Sequence, residues 1–362
     1  MRLLRPLHVA RVCAALLLGL SVSLPVTAEA SPQTRKKTTR SSVSARKAPV
    51  KKAYSASTSR ARKARLARAR AAAKAREAVR VARLREAMTP RYKTDAITGA
   101  QVPDVRAAAA IIFNPETGEI LWQENAQDKR SIASITKVMT AVVFLEDSPD
   151  LSTETTIERS DVYAASTTYL RANERVSLNN LLHLTLIASD NAAARALSRV
   201  SHGGTASFVE RMNEKAIELG LESTTFTDPS GLNPANISSA YDLSRLISYA
   251  SGNEVMAPIM RTQNYSAAVG RRTVNIHNTN RLLGGDGVEV MAGKTGFISK
   301  AGYCLATLLK LPTGNPVAVV VLGARSNPGR FYETRHLVTW MSQKATDLFR
   351  KEQQQVPQPQ SR

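Results

Sequence analysis

Apolar and polar positions alternate in two different ways along the chain after about residue 100. Ala107–Phe113 and Glu119–Glu124 have the composition of strands and flank a turn-forming segment, Asn114–Gly118. Helical spacing follows, and it predicts helices over Ser134–Phe144, Leu178–Ala188, Ala192–Val200 and Thr205–Leu219, with another beginning at Ser239. Strand-like runs return over Val288–Met291, Gly302–Leu309 and Val317–Leu322, before a last helix over Phe331–Phe349. This order predicts an α+β fold in which both ends of one domain supply a single sheet around a helical insertion.

The first 30 residues have the pattern of an export signal. Three arginines precede an apolar run from Val12 to Leu24, and the small-x-small sequence Ala28-Glu29-Ala30 follows. The run is shorter than the ~20 apolar residues of a membrane-spanning helix. We therefore predict a signal peptide over residues 1–30 and an exported chain, periplasmic or otherwise associated with the cell envelope. After cleavage Cys304 is the only cysteine, which excludes an internal disulfide.

The charge is concentrated in one segment. Of the formal net charge of +21, residues 31–93 supply nearly all, with 21 Lys and Arg against two Glu, and residues 94–362 are neutral overall. We predict a basic, Ala/Arg/Lys-rich arm over residues 31–95, disordered over 31–59 and helix-forming over 60–88. Two interpretations stay open for it: a solvated spacer, or a polycation that adheres to an anionic cell-wall polymer or membrane surface. A larger domain over residues 96–350 and a disordered tail over 351–362 complete the predicted organisation.

A serine and a lysine three residues apart begin the first predicted helix. In Ser134-Ile135-Thr136-Lys137 the hydroxyl and the amine share a helix face. A serine hydroxyl is activated when a neighbouring base takes its proton, and burial lowers the pKa of a lysine so that its amine can do so. Ser44-Ala45-Arg46-Lys47 has the same spacing but lies in the basic arm, where no folded pocket surrounds the lysine. The pattern therefore favours Ser134 as nucleophile and Lys137 as base.

A second motif, Ser189-Asp190-Asn191, falls between two predicted helices. Its hydroxyl can pass a proton to a leaving nitrogen, and its amide can orient the lysine or bind a substrate backbone. Ser177-Leu178-Asn179 and Ser251-Gly252-Asn253 share the spacing. A lone Ser-x-Asn is usually a cap or turn, but the Ser189 motif separates two helix patterns and leads into a helix start of small residues. We therefore predict that Ser189 and Asn191 are site residues.

A third motif, Lys294-Thr295-Gly296, lies on or at the end of a predicted strand. Lys294 and Thr295 are suited to binding a carboxylate, and Gly296 lets a substrate backbone approach closely. Each motif is common by chance, whereas all three in this order within an exported, neutral domain are not. The set is that of class A β-lactamases and penicillin-binding proteins.

The chain resembles the low-molecular-mass penicillin-binding proteins, the serine DD-peptidases of peptidoglycan, over roughly residues 103–345. Beyond the three motifs the resemblance rests on Ala133–Thr140, Asp228–Leu232, Asn278–Leu283 and Gly293–Phe297. It implies a β-lactamase/transpeptidase-like fold, with a five-stranded antiparallel sheet flanked by helices and an all-helical lobe. Residues 96–350 would then be a catalytic domain that acts on D-alanyl-D-alanine ends or D-alanyl cross-links of peptidoglycan stem peptides. Inhibition by β-lactams is implied, as is a mechanism without a metal or other cofactor.

The resemblance also assigns the site. It implies catalytic roles for Ser134, Lys137, Ser189 and Asn191, and substrate binding by Lys294, Thr295, Gly296 and Phe297. The backbone N–H groups of Ser134 and Phe297 would form an oxyanion hole for the acyl intermediate. Ile298 departs from the family, which usually has Thr or Ser at that position. This departure affects fine substrate contacts and leaves the nucleophile unchanged.

Three other functions share part of the pattern. A class A-like β-lactamase needs a further carboxylate base in a Glu-x-x-Leu-Asn pattern, which is absent between Asn191 and Lys294, where Asp228 lies in a Pro-Ser-Gly turn instead. A Ser-His-Asp hydrolase needs a nucleophile-elbow sequence, and none accompanies the histidines. The basic arm suggests nucleic acid by charge alone, but the export signal and the lack of a base-reading sequence argue against such a partner.

Two DD-peptidase activities stay open. A carboxypeptidase releases the terminal D-alanine, whereas an endopeptidase cuts D-alanyl cross-links between stem peptides. The chain ends soon after its last predicted helix, without the extra C-terminal domain and amphipathic anchor of many carboxypeptidases. That feature and the neighbourhood of the third motif resemble the endopeptidase branch, which we favour.

Overall fold

The computed structural model describes residues 53–285, 288–311 and 314–355. The predicted signal peptide, residues 31–52 of the basic arm and residues 356–362 of the tail lie outside these ranges. The chain divides into two compact units, residues 1–66 and residues 67–362, and the second contains the sheet and the three motifs. Among the described residues no helix is both long and apolar enough to cross a bilayer.

A five-stranded antiparallel sheet forms the centre of the second unit. The strands are β1 (Tyr92–Thr94), β2 (Gln101–Pro103), β3 (Ala109–Phe113), β4 (Ile120–Glu124), β5 (Arg130–Ser131), β6 (Glu154–Thr156), β7 (Arg175–Ser177), β8 (Ile237–Ser238), β9 (Asn264–Val269), β10 (Arg272–His277), β11 (Glu289–Ile298), β12 (Gly302–Lys310) and β13 (Pro316–Ala324). The central sheet has the order β11-β12-β13-β3-β4, and every neighbouring pair is antiparallel. The prediction of one sheet supplied by both ends of the domain is confirmed.

In the sequence, most of the helices lie between the strands at the two ends of the domain that form the central sheet. They are α1 (Ala53–Met88), α2 (Thr136–Glu146), α3 (Arg159–Val162), α4 (Leu178–Leu186), α5 (Asn191–Val200), α6 (Gly204–Glu218), α7 (Ala240–Ser251), α8 (Met256–Arg261) and α9 (Asn327–Gln355). A 3-10 turn, Ala133–Ile135, leads into α2. Helices α2 to α8 occupy the interval between β4 and β11, which is the predicted helical insertion.

The apolar run of β13 explains why helices cover both faces of the sheet. Val320 and Leu322 belong to the larger hydrophobic core, which the helical insertion completes. Val319 and Val321 belong to a second core on the opposite face, where Leu337 of α9 packs against them. Because successive strand side chains point to opposite faces, a continuous apolar strand has to be buried from both sides.

Three elements extend furthest beyond their predicted limits. Helix α1 begins at Ala53 rather than after residue 59, because neither Gly nor Pro interrupts the chain between Pro49 and Met88. Helix α9 reaches Gln355, so residues 351–355 of the predicted disordered tail are helical. Strand β11 continues seven residues past its predicted end to Ile298, because its polar third motif is buried in the sheet. The pairs β1–β2, β6–β7 and β9–β10 were not predicted, since their apolar runs are too short to stand out.

Candidate active site

The serine of the first motif lies in a tightly enclosed turn. Ser134 is preceded by Ala133, whose φ of 49° lies in the left-handed region that L-residues rarely adopt. A Cβ on Gly231 would lie 2.0 Å from the carbonyl oxygen of Ala133, and one on Gly296 would lie 2.6 Å from that of Ile132. Only glycine permits these approaches. The backbone around the serine is therefore held from one side by the 228–232 turn and from the other by β11.

Lys137 lies in the first turn of α2 with its side chain fully buried. Its Nζ donates hydrogen bonds to Ser134 Oγ at 2.9 Å, to Asn191 Oδ1 at 2.6 Å and to the carbonyl oxygen of Ser230. Asn191 Nδ2 donates to the carbonyl oxygen of Ala165 at 2.6 Å, which fixes the amide with its oxygen toward the lysine. The lysine amine is thus held directly against the serine hydroxyl.

Burial controls the protonation of Lys137. It lowers the pKa of this lysine from 10.5 to about 7; the carboxylates of Asp190 and Asp228 oppose the shift, and the Arg195 cation adds to it. A substantial fraction of the amine is therefore neutral near pH 7. In that form it can accept the serine proton, which is the requirement for a general base.

Ser189 and Lys294 bring the second and third motifs into contact. Ser189 follows α4 with a left-handed φ of 60°, and its Oγ accepts a hydrogen bond from Lys294 Nζ at 2.8 Å. Lys294 is buried in β11 and also donates to the carbonyl oxygen of Thr295 at 3.0 Å. Burial lowers the pKa of Lys294 well below its usual range, and the positive charges of Lys137 and Arg330 lower it further. A bound carboxylate would reverse this shift by favouring the charged amine.

Asp190 supports the two residues beside it. Its Oδ1 accepts from Ala193 N at 3.0 Å and caps α5, while its Oδ2 accepts from Tyr169 N at 2.6 Å and Thr168 Oγ1 at 3.1 Å. Burial raises the pKa of Asp190, and these hydrogen bonds oppose the rise. The middle residue of the second motif therefore acts as a helix cap that orients its neighbours.

The remaining predicted residues follow Lys294 along β11. Thr295 Oγ1 donates to Thr279 Oγ1 at 2.7 Å. Phe297 is 49% exposed, and its ring stacks on Tyr303 of β12 with the centroids 4.3 Å apart. Ile298, the residue that departs from the family, ends the strand and packs partly against the larger core. The strand thus lines the site from the third motif to its end.

Arg330 is a site residue that the sequence reasoning missed. It is buried, and its Nη1 donates to the carbonyl oxygens of Gly296 at 2.9 Å and Cys304 at 3.0 Å. Burial lowers its pKa to about 10, so the guanidinium stays charged at neutral pH. The helix was predicted to begin at Phe331, whereas it begins at Asn327 and presents Arg330 to the sheet. No sequence motif marks this position.

The 228–232 turn also has a structural role that the motifs did not indicate. Asp228 Oδ1 accepts from the backbone N–H groups of Ser230 at 2.6 Å and Gly231 at 2.8 Å, and its Oδ2 accepts from Asn233 N at 2.7 Å. The turn directs the Ser230 carbonyl at Lys137. Since both carboxylate oxygens bind the backbone, Asp228 serves the turn and does not replace the missing carboxylate base of a β-lactamase.

The competing Ser-x-Asn segments have ordinary local roles. Ser177 caps α4, its Oγ accepting from Asn180 N at 3.2 Å. Ser251 Oγ donates to the Ser248 carbonyl oxygen at 2.6 Å, and Asn253 Oδ1 accepts from Met256 N at 3.0 Å. The competing Ser44–Lys47 segment lies outside the described residues.

The side chains of Cys304 and His183 have ordinary structural surroundings. Cys304 is a free, buried thiol in β12, and burial raises its pKa to about 11, so it stays protonated. His183 stacks on Tyr265 with the ring centroids 4.0 Å apart. Within the described ranges no group of three or more His, Cys, Asp or Glu side chains is arranged to hold a metal ion.

The close approach at Gly231 predicts a large loss of stability in the Gly231→Ala variant. Its left-handed φ of 79° alone costs an L-residue about 1–2 kcal/mol, and the contact with the Ala133 carbonyl adds to that cost. We expect the free energy of unfolding to fall by about 3 kcal/mol or more. Gly118→Ala is the matched control, because Gly118 has φ 75° and no atom within 4 Å of an added Cβ. Urea unfolding compares the two variants, and equal losses would contradict the role given to this contact.

Fold and site together define a serine hydrolase, built on an antiparallel sheet with helices on both faces, in which a buried lysine contacts a serine hydroxyl. The peptidase S11 family, D-alanyl-D-alanine carboxypeptidase, matches residues 96–326. The chain is 32% identical over 253 residues to D-alanyl-D-alanine endopeptidase of Escherichia coli K12, a match that covers 69% of this chain and 81% of the relative. The chain therefore belongs to the D-alanyl-D-alanine carboxypeptidase family of low-molecular-mass penicillin-binding proteins, as its motifs predicted.

Solved structures support the same assignment. The crystal structure of Streptomyces K15 DD-transpeptidase matches with a TM-score of 0.62 and 30% identity, over 67% of this chain and 98% of that one. Cefotaxime-bound penicillin-binding protein D2 from Listeria monocytogenes matches with a TM-score of 0.58 and 29% identity, over 65% and 97% of the two chains. The transpeptidase fold is confirmed, and the protein is a serine DD-peptidase of peptidoglycan.

Proposed function

We propose that Ser134 is the nucleophile and that Lys137 is its base. The observation that carries the proposal is the 2.9 Å hydrogen bond between Lys137 Nζ and Ser134 Oγ, made by a buried amine whose pKa is lowered to about 7. The hydroxyl oxygen attacks the carbonyl carbon of a D-alanyl residue as its proton passes to the amine. The peptide C–N bond then breaks and leaves an acyl-enzyme. Water hydrolyses that ester, which releases the acid and restores the serine.

The oxyanion of each tetrahedral intermediate needs two positioned N–H donors. We assign them to the backbone N–H groups of Ser134 and Phe297. The close packing of Gly296 supports this assignment, since a Cβ there would lie 3.2 Å from Ser134 N. Arg330 holds the Gly296 carbonyl at 2.9 Å and thereby orients the peptide unit that carries the Phe297 N–H.

Ser189, Asn191 and Lys294 complete the proposed machinery. The leaving amine takes the proton of the Ser189 hydroxyl, and that hydroxyl regains a proton from Lys137, which thereby gives up the one that it took from Ser134. Lys294 holds the Ser189 oxygen at 2.8 Å. Asn191 holds Lys137 in place. Lys294 and Thr295 bind the carboxylate of the substrate, whose charge stabilises the buried amine of Lys294.

The pKa of Lys137 predicts how the acylation rate depends on pH. The neutral amine is the active form, so below about pH 7 the rate should fall tenfold for each pH unit as the amine is protonated. Stopped-flow acylation by a fluorescent penicillin between pH 5 and 9 measures the profile. A rate that is constant over that range, in enzyme whose circular dichroism spectrum is unchanged, would contradict the assignment of Lys137 as base.

We further propose that β-lactams acylate Ser134, as the cefotaxime-bound relative suggests. The acyl-enzyme should persist, because Asp228 is engaged by the backbone of its turn and the Glu-x-x-Leu-Asn pattern is absent. A chromogenic cephalosporin should therefore give one equivalent of product and then very slow turnover. Sustained hydrolysis would favour the β-lactamase alternative.

Of the two peptidase activities we propose the endopeptidase. The E. coli relative, similar over 81% of its own length, is an endopeptidase. We expect purified cross-linked muropeptide dimers to be converted into monomers faster than pentapeptide monomers lose D-alanine. Chromatography of both digests, at equal substrate concentration, gives the ratio of the two rates. Faster release of D-alanine would instead assign a carboxypeptidase.

Family members act on the cell wall, in the cell envelope. We propose that residues 1–30 direct this chain there and are removed after Ala30. Sequencing the N-terminus of the protein recovered from the periplasm tests this, since the first residue should be Ser31.

A further inference from the structure

The end of α1 that belongs to the second unit carries a dense positive charge. Between residues 67 and 88 there are seven Arg and Lys against Glu77 and Glu86. Every side chain from Ala67 to Arg83 is exposed. Arg76 and Arg83 make no hydrogen bond or ion pair with any described residue, and Arg80 is paired only with Glu77, at 2.6 Å. Like charges spaced three and four residues apart destabilise a helix unless something neutralises them.

Among the described residues, hydrogen bonds and ion pairs join α1 to the rest of the second unit only at its last turn and at Thr89, which follows it. Ala87 is buried, and the Met88 carbonyl accepts a hydrogen bond from His336 Nε2 at 3.0 Å. Arg106 Nη1 donates to the Thr89 carbonyl at 3.1 Å, and its Nε lies 3.5 Å from Glu86. The cations that precede this anchored turn therefore remain on the surface.

A groove of about 560 Å³ lies between α1 and the first turn of α9. Arg76, Arg80 and Arg83 line one wall, and Ser326 and Pro328 line the other. Most of its surface is apolar carbon, to which Ala75, Val79, Leu84 and the arginine stems contribute. A ligand with carboxylates on a partly apolar chain fits this lining better than a bare ion does.

The groove connects to the active site through three contacts. The Ser326 carbonyl accepts from Arg330 N at 3.4 Å, and the guanidinium of Arg330 holds the Gly296 carbonyl. Gly296 in turn packs against the backbone nitrogen of Ser134. The residue at the edge of the groove is thus linked to the serine through the interior of the protein.

We propose that this groove, with the other exposed cations between residues 67 and 85, binds the carboxylates of peptidoglycan stem peptides and docks the enzyme on its polymeric substrate. The inference rests on the proposed function, because it takes the same polymer as substrate and ligand. Each exposed ion pair contributes little, but a polymer presents many carboxylates to many cations at once, and linked contacts multiply. A membrane surface fits less well, since α1 has few large apolar residues and no apolar face to insert.

The test compares two variants with the same change of charge. In the first, Arg76→Gln, Arg80→Gln and Arg83→Gln remove the groove cations. In the second, Arg159→Gln, Arg261→Gln and Arg271→Gln remove three exposed cations from α3, α8 and the β9–β10 turn, none of which lines the groove. Sedimentation of residues 31–362 with insoluble sacculi at 20 mM salt should show about tenfold weaker binding for the groove variant only. Binding of the wild type should weaken in 300 mM salt.

Two further measurements separate the possible explanations. Sacculi with amidated carboxylates should bind the wild type as weakly as the groove variant binds untreated sacculi. Vesicles of phosphatidylglycerol and phosphatidylethanolamine test the membrane alternative. The proposal is overturned if the groove variant binds sacculi like the wild type, if amidation has no effect, or if only vesicle binding is lost.

Activity on soluble substrate keeps this proposal distinct from the proposed function. Both variants should cleave soluble muropeptide dimers and react with fluorescent penicillin at the wild-type rate, because none of the six arginines lies in the catalytic site. A wild type that binds sacculi but leaves soluble muropeptides intact would refute the proposed activity and keep the docking surface. Normal cleavage of soluble dimers with no difference in binding would refute the docking surface alone.

Discussion

The Ser134→Ala variant should form no covalent adduct with fluorescent penicillin and should lose peptidase activity by about a millionfold, the loss found when a serine nucleophile is removed. The reason is that, in the proposed mechanism, the hydroxyl oxygen bonds to the substrate carbonyl carbon. Fold and stability should be retained, since the side chain is small and half-buried. Intact-protein mass spectrometry after incubation with a β-lactam measures the adduct directly.

The matched control for this experiment is Ser177→Ala, which removes the cap of α4 from a competing Ser-x-Asn segment. It should lose about 1 kcal/mol of stability and keep its adduct. A stable adduct in Ser134→Ala would assign the nucleophile to another residue. Loss of the adduct in both variants would point to a general loss of structure, and urea unfolding distinguishes that outcome.

Replacing Lys137 by methionine should lower the acylation rate by about a thousandfold, within the range expected for a general base. The methionine fills a similar volume but cannot accept a proton. Two effects on stability oppose each other: Asn191 and the Ser230 carbonyl lose a donor, while a buried amine no longer has to be desolvated. The variant should therefore fold, and its small residual rate should no longer fall below pH 7.

Lys137→Arg separates positive charge from basicity. A guanidinium keeps the charge but cannot give up its proton at neutral pH, so this variant should be about as slow as Lys137→Met. Recovery of the rate in the arginine variant would mean that the charge alone acts on the serine. Single-turnover acylation at pH 8 compares the three proteins.

Much of the fold could be predicted because the core positions are strongly periodic. The apolar runs of β3, β12 and β13 and the spacing of α2, α4 and α5 each placed an element within a few residues of its observed bounds. The prediction was wrong where polar residues of a strand are buried by contacts with distant parts of the chain. Lys294 and Thr295 interrupt the apolar pattern of β11, so the strand was predicted to end at Met291.

The preference for Ser134 and Ser189 over the competing serines came from sequence context, since the motifs themselves have the same spacing. Ser134 precedes an apolar helix and Ser189 separates two helices, whereas Ser177 and Ser251 have local hydrogen-bonding roles. The motifs in the sequence indicated which chemical groups the site would contain. It could not give the distance between Lys137 and Asn191, which are 54 positions apart and meet at 2.6 Å.

The sequence by itself determined the residue types of the site, the order of the motifs and the separation of a basic arm from a neutral domain, because local spacing and composition carry that information. The tertiary structure alone decided that Lys137 is buried with a pKa of about 7, that Ser189 touches Lys294, and that Arg330 and the 228–232 turn support the serine. These properties depend on burial and on contacts between segments far apart in the chain. Packing establishes them, and no local pattern encodes them.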